Sequence, residues 1–392
     1  MKAIIKLFQE FFSSGSIGGI LLFFGVLISL VIANSPLGPA FDNLLALPIG
    51  IDGTGLDLRY PVLIWINDGL MAIFFLLVGL EIKRELVEGE LSSIQKATLP
   101  IFAALGGLAV PALIYALFNA GTATAGGWAI PMATDIAFAL AILSLLGDRI
   151  PVSLRIFLTA LAIVDDLAAI IVIAVFYSHD LHFIYLAYAG AVFLGLILIN
   201  RFGVKSLVFY LLPGLVMWYF IHHSGIHATI AGVLTAFTLP TTEDEVESPL
   251  EKLEHLLIKP VNFLIMPVFA LANTNITFES TMLESLTTTM GLGIIAGLLI
   301  GKPLGISLLS WLSVKLGLCD LPEGTGWLQI IGAGMLGGIG FTMSIFIALL
   351  SFADEPILSS GAKFAILIGS ITAGLLGYSV LRAVSKPELS AT

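Results

Sequence analysis

The sequence is poor in charged residues and in cysteine. Only 11% of its 392 residues are charged, less than half of the roughly 25% typical of soluble domains, whereas 58% are hydrophobic. This scarcity of charge excludes water as the main solvent of the chain. The single cysteine, Cys319, excludes an internal disulfide and leaves the redox compartment undefined. The net charge of −10 comes mainly from loops and gives no reason to expect a nucleic-acid partner.

Apolar runs of about 20 residues follow one another along the chain and predict membrane-spanning helices. Residues 1–14 carry two lysines but no small-residue cleavage site, so we expect no cleavable signal peptide. We predict an all-α polytopic membrane protein with one integral membrane domain over residues 1–392. The twelve predicted spans cover residues 16–34, 61–83, 97–118, 124–146, 152–176, 183–200, 204–221, 225–238, 257–273, 290–313, 327–351 and 360–382.

The basic residues predict the direction of these spans. Alternate connections place 14 of the 17 lysines and arginines on one side, with Arg59 and Lys363 on the other and Lys302 inside a span. Because basic residues are enriched in cytoplasmic loops, we expect both termini in the cytoplasm. The outer connection 35–60 alternates apolar and polar residues around an Asp-Gly turn, which predicts a small β-hairpin or, alternatively, an irregular loop. The inner connection 241–254 is acidic, with Glu243, Asp244, Glu245, Glu247 and Glu251.

Four ionisable residues fall near the middle of predicted spans: Asp135, Asp165, Asp166 and Lys302. At the bilayer centre each costs about 2.5–3.5 kcal/mol on insertion scales, and all four together cost on the order of 10 kcal/mol. We therefore expect them to face a water-filled cavity or one another. Asp165 and Asp166 point about 100° apart on a helix, so one can line a cavity while the other contacts Lys302. The alternative is that Asp165 and Lys302 form a purely structural ion pair between two helices.

Two predicted spans contain sequences that interrupt a helix. Pro131 lies in the fourth, and five glycines lie within residues 332–340 of the eleventh. These spans hold corresponding places in spans 3–5 and 10–12, which enter the membrane from opposite sides. We therefore predict an inverted repeat with both interruptions at the midplane. We expect Asp135 to offset the positive N-termini of the half-helices and Lys302 the negative C-termini. The alternative for the eleventh span is that its glycines only permit close packing.

A buried carboxylate is a hard oxygen ligand that suits Na⁺ or Li⁺, and it also binds a proton. It cannot hold both at once. Competition for one carboxylate is therefore sufficient to exchange a cation for protons. We expect the mid-span aspartates to work in this way, by alternating access of the site to the two sides of the membrane.

Seven stretches distributed over nearly the whole chain carry a family resemblance. They are residues 65–72 (WINDGLMA), 78–86 (VGLEIKREL), 131–138 (PMATDIAF), 164–167 (VDDL), 223–229 (HSGIHAT), 301–305 (GKPLG) and 338–344 (GIGFTMS). Together they resemble the NhaA-type sodium/proton antiporter family. The resemblance implies a transporter of the bacterial inner membrane, not an enzyme, that exchanges Na⁺ or Li⁺ electrogenically for more than one H⁺. It also implies a role in pH and sodium homeostasis, a homodimer joined partly through the outer hairpin, and no cofactor.

The resemblance also assigns residues. It implies that Asp166 is the principal carboxylate for cation and proton, with Asp165 and Lys302 as partners; either partner could carry the second proton. The interrupted helices include Thr134, Asp135, Gly338 and Gly340. The resemblance further implies that a pH response involves six residues: Glu81, Arg84, Glu85, Glu254, His227 and His255. The charged members of that group could equally form a solvated cluster, and the histidines could make only local hydrogen bonds. Asp68 either extends the ion path or pairs near the membrane interface.

Three other functions would use some of the same features. A symporter for an organic anion would need cationic anchors, and the mid-span aspartates argue against an anionic solute. An intramembrane aspartyl protease would need two aspartates from separate helices, such as Asp135 and Asp166. No Gly-x-Gly-Asp pattern surrounds either residue, and Lys302 would interfere with a shared proton. A passive cation channel would carry current without coupling to protons.

Overall fold

A computed structural model describes the backbone of residues 2–53, 57–178, 180–241, 247–278 and 280–385, and their side chains outside residues 2–16 and 280–281. The described chain is mostly helical, as its long apolar runs predict. The α-helices are α1 (Lys2–Ala33), α2 (Gly38–Ala46), α3 (Val62–Ile64), α4 (Met71–Val87), α5 (Ile94–Asn119), α6 (Ile136–Leu145), α7 (Val152–Phe176), α8 (Phe183–Arg201), α9 (Val208–His222), α10 (Ile230–Thr238), α11 (Pro249–Pro260), α12 (Met266–Asn273), α13 (Ser280–Ser285), α14 (Thr289–Ala296), α15 (Lys302–Lys315), α16 (Trp327–Gly337), α17 (Phe341–Ser351) and α18 (Pro356–Val384).

The helices confirm a polytopic membrane protein. Within the described residues, eight helical stretches are long and apolar enough to cross a membrane: Val62–Val87, Ile94–Asn119, Ala125–Leu145, Val152–Phe176, Phe183–Arg201, Pro249–Asn273, Thr289–Lys315 and Pro356–Val384. Two bent pairs qualify only when joined: α1 from Ile17 with α2, bent by 112°, and α16 with α17, bent by 45°. The described residues therefore give eight to ten candidate spans, and the total of twelve stays a prediction.

Two predicted boundaries differ from the observed helices. The span predicted at 225–238 becomes helical only at Ile230, because the chain first makes turns and Gly225 has a φ of +84°. The span predicted at 257–273 begins earlier, at Pro249. There Ser248 Oγ accepts the Glu251 N–H and the Glu251 carboxylate accepts the Ser248 N–H, a capping box that fixes the helix start. Part of the predicted acidic connection is therefore helix, and its residues Glu243, Asp244 and Glu245 lie outside the described residues.

Helical turns of the wider π type occur in the described chain at Trp65–Leu70, Val261–Ile265 and Gly297–Gly301. The last two each end two residues before a proline, Pro267 and Pro303. Proline has no N–H to donate to the carbonyl four residues earlier, which favours a local disturbance of the helix. The first turn contains Asp68 and the third leads directly into Lys302. Two predicted site residues thus lie at positions that simple helical periodicity does not describe.

The hairpin predicted in the outer connection is present as two very short strands. Strand β1 (Pro48–Ile49) pairs antiparallel with β2 (Tyr60–Pro61), with Pro48 opposite Pro61 and Ile49 opposite Tyr60. The second strand begins only at the last residue of the predicted connection 35–60. Two facing prolines offer no N–H, which limits the ladder at that end. Residues 54–56 of the predicted turn lie outside the described residues.

The chain forms two compact units. The first contains Met1–Gly19, Glu88–Val172 and Glu279–Thr392, and therefore all four predicted mid-span charges. Within it α5 packs on α15 with their backbones in contact at Gly106 and Gly305. A Cβ atom on either glycine would lie 2.0 Å from the carbonyl oxygen of the other. α16 packs on α18 in the same unit. This packing fixes the helices that carry the site described below.

The second unit contains Ile20–Val87 and Ile173–Phe278. In this unit α4 packs against α10, and α8 against α9. Its core includes the buried side chains of Leu80, Tyr210, Met217 and Trp218. Asp68 and the predicted pH-response residues all belong to this unit.

Candidate functional site

The first unit brings together Asp165 on α7 and Lys302 on α15. The Lys302 ammonium group donates to both carboxylate oxygens of Asp165, at 3.0 Å to Oδ1 and 2.8 Å to Oδ2. Both residues are fully removed from solvent, with 0% of Lys302 and 1% of Asp165 exposed. The pair neutralises two charges that would each be costly if buried alone. From the sequence, Lys302 was also expected to offset the negative C-termini of the half-helices. The hydrogen bonds described for its ammonium group go instead to Asp165.

Asp166 follows Asp165 on α7 and is also buried, with 4% exposed. Successive residues on a helix point about 100° apart, so the two carboxylates leave α7 in different directions. Asp166 nevertheless lies close enough to Lys302 to interact electrostatically with its ammonium group. The structure thus gathers two carboxylates and one ammonium group into a single site. When all three groups are ionised, the site carries one net negative charge.

The fourth predicted span is interrupted beside this site. A 3-10 helical segment, Ala125–Met132, is followed by the non-helical residues 133–135 before α6 begins. Asp135 caps α6, because its Oδ1 accepts the Phe138 N–H at 3.1 Å. Thr134 lies within hydrogen-bonding reach of the Asp165 carboxylate. The interruption and the buried ion pair are therefore in contact.

The eleventh predicted span is interrupted between α16 and α17, at residues 338–340. Here Asp135 appears again: its Oδ2 accepts the Thr342 N–H at 3.1 Å and also accepts the Thr342 hydroxyl. One buried carboxylate thus takes hydrogen bonds at the N-termini of both α6 and α17. Helix dipoles favour a negative charge at both of these positions.

The two interruptions also satisfy each other's free backbone groups. The hydrogen bonds run from the Thr134 hydroxyl to Gly337 O at 2.8 Å, from the Asp135 N–H to Ile339 O at 2.6 Å, and from the Ser344 hydroxyl to Ile130 O at 2.7 Å. A broken helix leaves such groups without intrahelical partners, and non-helical backbone persists in a membrane only where protein or a cavity satisfies it. The two interrupted segments therefore form one interdependent assembly.

Gly338 and Gly340 serve this assembly through their small size. Their φ angles, −74° and −89°, are open to any residue. A Cβ atom on Gly338 would lie 2.3 Å from Leu298 O, and one on Gly340 would lie 2.1 Å from Ser344 Oγ. Glycines earlier in the same run lie inside α16. The chain is interrupted at 338–340, as predicted, so the alternative that the glycines only permit close packing is wrong.

In the second unit, Glu81, Arg84 and Glu85 on α4 meet Glu254 on α11. The Arg84 guanidinium group lies 3.1 Å from Glu85 Oε1 and 3.3 Å from Glu254 Oε2. Glu85 and Glu254 are buried, and Glu81 is close enough to all three to interact electrostatically. Burial argues against a solvated surface cluster. Three carboxylates around one guanidinium group form instead a crowded acidic cluster in a poorly hydrated place.

Each of the predicted histidines lies beside a carboxylate. His255 Nδ1 contacts Glu247 Oε1 at 2.9 Å, near the surface. His227 Nε2 lies 3.7 Å from Asp68 Oδ1, and His222 Nδ1 lies 3.2 Å from Asp68 Oδ2. Asp68 is therefore the partner of two histidines. The predicted pH-response residues thus fall into the acidic cluster, this His–Asp–His group and a surface pair whose histidine, His255, also lies close enough to Glu254 to interact with it electrostatically.

Sequence reasoning missed Thr342, Ser344 and His222. Thr342 and Ser344 directly follow the glycine run, and short hydroxyl side chains often bond backbone groups near helix ends. That signal could have identified them as candidates. Their partners in the fourth span are more than 200 positions away, so spacing alone could not pair them. His222 lies beside His223 at the end of an apolar helix. Its partner, Asp68, is a lone carboxylate in another span, so spacing along the sequence could not pair these two residues either.

Similarity to known proteins is consistent along the chain. Residues 9–381 match a family model described as Na⁺/H⁺ antiporter 1. The protein named Na(+)/H(+) antiporter NhaA 2 from Flavobacterium johnsoniae is 65% identical over 383 residues, covering 97% of this chain and 94% of that protein. The Na(+)/H(+) antiporter NhaA from Flavobacterium psychrophilum is 52% identical, covering 98% and 97%. The protein of the same name from Escherichia coli O1:K1 / APEC is 49% identical, covering 98% and 100%.

Proposed function

Because the chain belongs to the Na⁺/H⁺ antiporter 1 family, we propose that it exchanges Na⁺ for H⁺ across a bacterial membrane, at Asp165, Asp166 and Lys302. The observation that carries this assignment is the burial of these three charges in one site beside two interrupted helices. Members of the family are transporters, so the chain is not an enzyme.

Competition for Asp166 supplies the coupling. A carboxylate can hold Na⁺ or a proton, and the occupant that binds excludes the other. Asp165 and Asp166 share the single Lys302 ammonium group, so the ionised site carries one net negative charge that attracts a cation. The described residues contain no group of three or more His, Cys, Asp or Glu side chains arranged to hold a metal ion. We infer that transported Na⁺ completes its shell with hydroxyl, backbone or water oxygens, a weak binding that suits release.

Electrogenic exchange requires a second proton. The Lys302–Asp165 pair belongs to the same site as Asp166, and Lys302 interacts electrostatically with Asp166, so we propose that one member of the pair carries this proton. We further propose that Li⁺ is accepted, because it is a hard cation like Na⁺. Exchange of this kind would contribute to sodium and pH homeostasis, and no cofactor enters the scheme.

The finer architecture is also part of the proposal. We propose twelve spans with both termini in the cytoplasm of an inner membrane, and an inverted repeat of spans 3–5 and 10–12 around a midplane site. The interruptions at 133–135 and 338–340 support the repeat. The site would open to one side of the membrane at a time. A homodimer would be joined partly through β1 and β2.

The acidic cluster is the proposed pH-responsive element. Glu81, Glu85 and Glu254 share one guanidinium group, so protonation of a carboxylate changes how Arg84 is divided among them. His255 would act through Glu247 and through its electrostatic interaction with Glu254, and His227 would act through Asp68.

A reconstitution experiment tests the proposed exchange. Purified protein in acid-loaded proteoliposomes should dissipate the pH gradient when Na⁺ is added outside, and Asp166→Asn should not. Asp148→Asn, an exposed aspartate in the same unit, is the matched control and should behave as wild type. Repeating the assay at a set membrane potential tests electrogenicity, since net charge movement makes the rate depend on voltage. An Asp166→Asn protein with wild-type exchange would exclude the assigned role.

A further inference from the structure

The N-terminus of α17 depends on other parts of the chain for its capping. The first N–H groups of any helix have no intrahelical partner, and a side chain at the preceding N-cap position usually accepts one of them. Here the N-cap is Gly340, which has no side chain to offer. A larger residue would not fit, because a Cβ atom at this position would meet Ser344 Oγ at 2.1 Å. The close contact that requires glycine at the N-cap therefore leaves α17 without a cap from its own N-cap side chain.

Two other segments of the chain supply the missing acceptors. The Phe341 N–H donates to Ser370 Oγ on α18 at 3.1 Å. The next N–H, that of Thr342, donates to Asp135. All of these groups are buried, and Ser370 itself is only 4% exposed. Two consecutive backbone donors are thus divided between a neutral hydroxyl and the carboxylate of the interrupted fourth span.

We propose that Ser370 is a positioning residue for cation binding, a role that rests on the proposed exchange function. Its hydroxyl holds the first residue of α17 in place. That placement sets where the N–H and hydroxyl of Thr342 lie, and these two donors in turn orient the Asp135 carboxylate. Without the Ser370 hydroxyl, the buried Phe341 N–H would have no acceptor. We expect the start of α17 to shift so that this N–H reaches another acceptor. The shift would reach Asp135 directly.

The test compares Ser370→Ala with Thr372→Ala on the same helix. The Thr372 hydroxyl donates to Ile368 O within α18, so its removal breaks a hydrogen bond inside α18. In proteoliposomes at fixed pH, Ser370→Ala should raise the apparent KM for Na⁺ on the order of fivefold, as expected for loss of one buried hydrogen bond. Its maximal rate per folded transporter should change less. Thr372→Ala should keep the wild-type KM, and Ser370→Thr, which retains a hydroxyl, should restore it.

A second measurement does not depend on transport. Hydrogen–deuterium exchange of a peptide covering residues 338–346 should be faster in Ser370→Ala than in wild type and unchanged in Thr372→Ala. If Ser370→Ala cannot be purified, Ser370→Cys keeps a weak acceptor and should give an intermediate exchange rate and KM. A wild-type KM in Ser370→Ala, alongside an active wild type, would overturn the positioning role alone. Inactive wild-type protein would overturn the proposed function. The hydrogen–deuterium exchange rates would then test the position of α17 independently of transport.

Discussion

Replacing Lys302 with methionine should destabilise the protein strongly, although the new side chain is similar in length. The ammonium group lies 2.8 Å and 3.0 Å from the two oxygens of Asp165. With an effective dielectric constant of about 20, unit charges at this separation attract each other by about 5–6 kcal/mol. Desolvation offsets much of this attraction in the intact pair. The variant, however, leaves a buried carboxylate alone, which typically costs about 3–5 kcal/mol.

The free energy of unfolding can be measured by SDS titration in mixed micelles. Lys315→Met is the matched control, because Lys315 lies at the exposed end of the same helix, over the ring of Trp311. The double variant Asp165→Asn with Lys302→Met removes the Asp165 carboxylate that Lys302→Met leaves without its ammonium partner, so it should be more stable than Lys302→Met alone by about 1–3 kcal/mol. The reasoning fails if Lys302→Met loses no more stability than Lys315→Met, or if the double variant recovers nothing.

Two further substitutions test the interrupted helices and the acidic cluster. Gly340→Ala should displace the Ser344 hydroxyl and reduce Na⁺/H⁺ exchange at least tenfold in proteoliposomes. In the control Gly326→Ala the new methyl group enters open space and should have little effect. Equal exchange rates in the two variants would show that the close contact at Gly340 is unimportant. Arg84→Met should lower the free energy of unfolding by about 2–3 kcal/mol, since it leaves buried carboxylates without their guanidinium partner. Lys96→Met, which breaks an exposed pair, should cost under about 1 kcal/mol, and a similar loss in both variants would contradict the argument.

The sequence predicts the membrane class and most helix positions because hydrophobic length is a local property. Eight of the predicted spans correspond to long apolar helices in the described residues, with boundaries moved mainly where a turn or cap intervenes. The span predicted at 225–238 is not among these eight: its segment 225–229 is apolar enough to suggest a helix, but Gly225 adopts a left-handed conformation that ends helical continuity. The capping box at Ser248 was readable from Ser-Pro-Leu-Glu, yet the surrounding acidic residues indicated a loop.

The charged residues of the site could be predicted because ionisable residues are scarce in the apolar spans. Asp165, Asp166 and Lys302 stand out because few ionisable residues lie in apolar spans, and a lone buried lysine needs a carboxylate. The hydroxyls of Thr342 and Ser370 do not stand out in this way. Their importance comes from the backbone groups that they meet, which depend on how the spans pack. Local pattern therefore identified the charges but not the side chains that hold them.

The widened turn at Gly297–Gly301 determines the direction in which Lys302 points. Each residue of a regular helix turns the chain by about 100°, so one added residue swings everything after it by that angle relative to the preceding segment. α14 and α15 can therefore present different faces although the chain runs through both without a gap. We expect a single-residue deletion within this turn to carry the lysine away from its aspartate while conserving both charges and nearly all of the span's hydrophobicity.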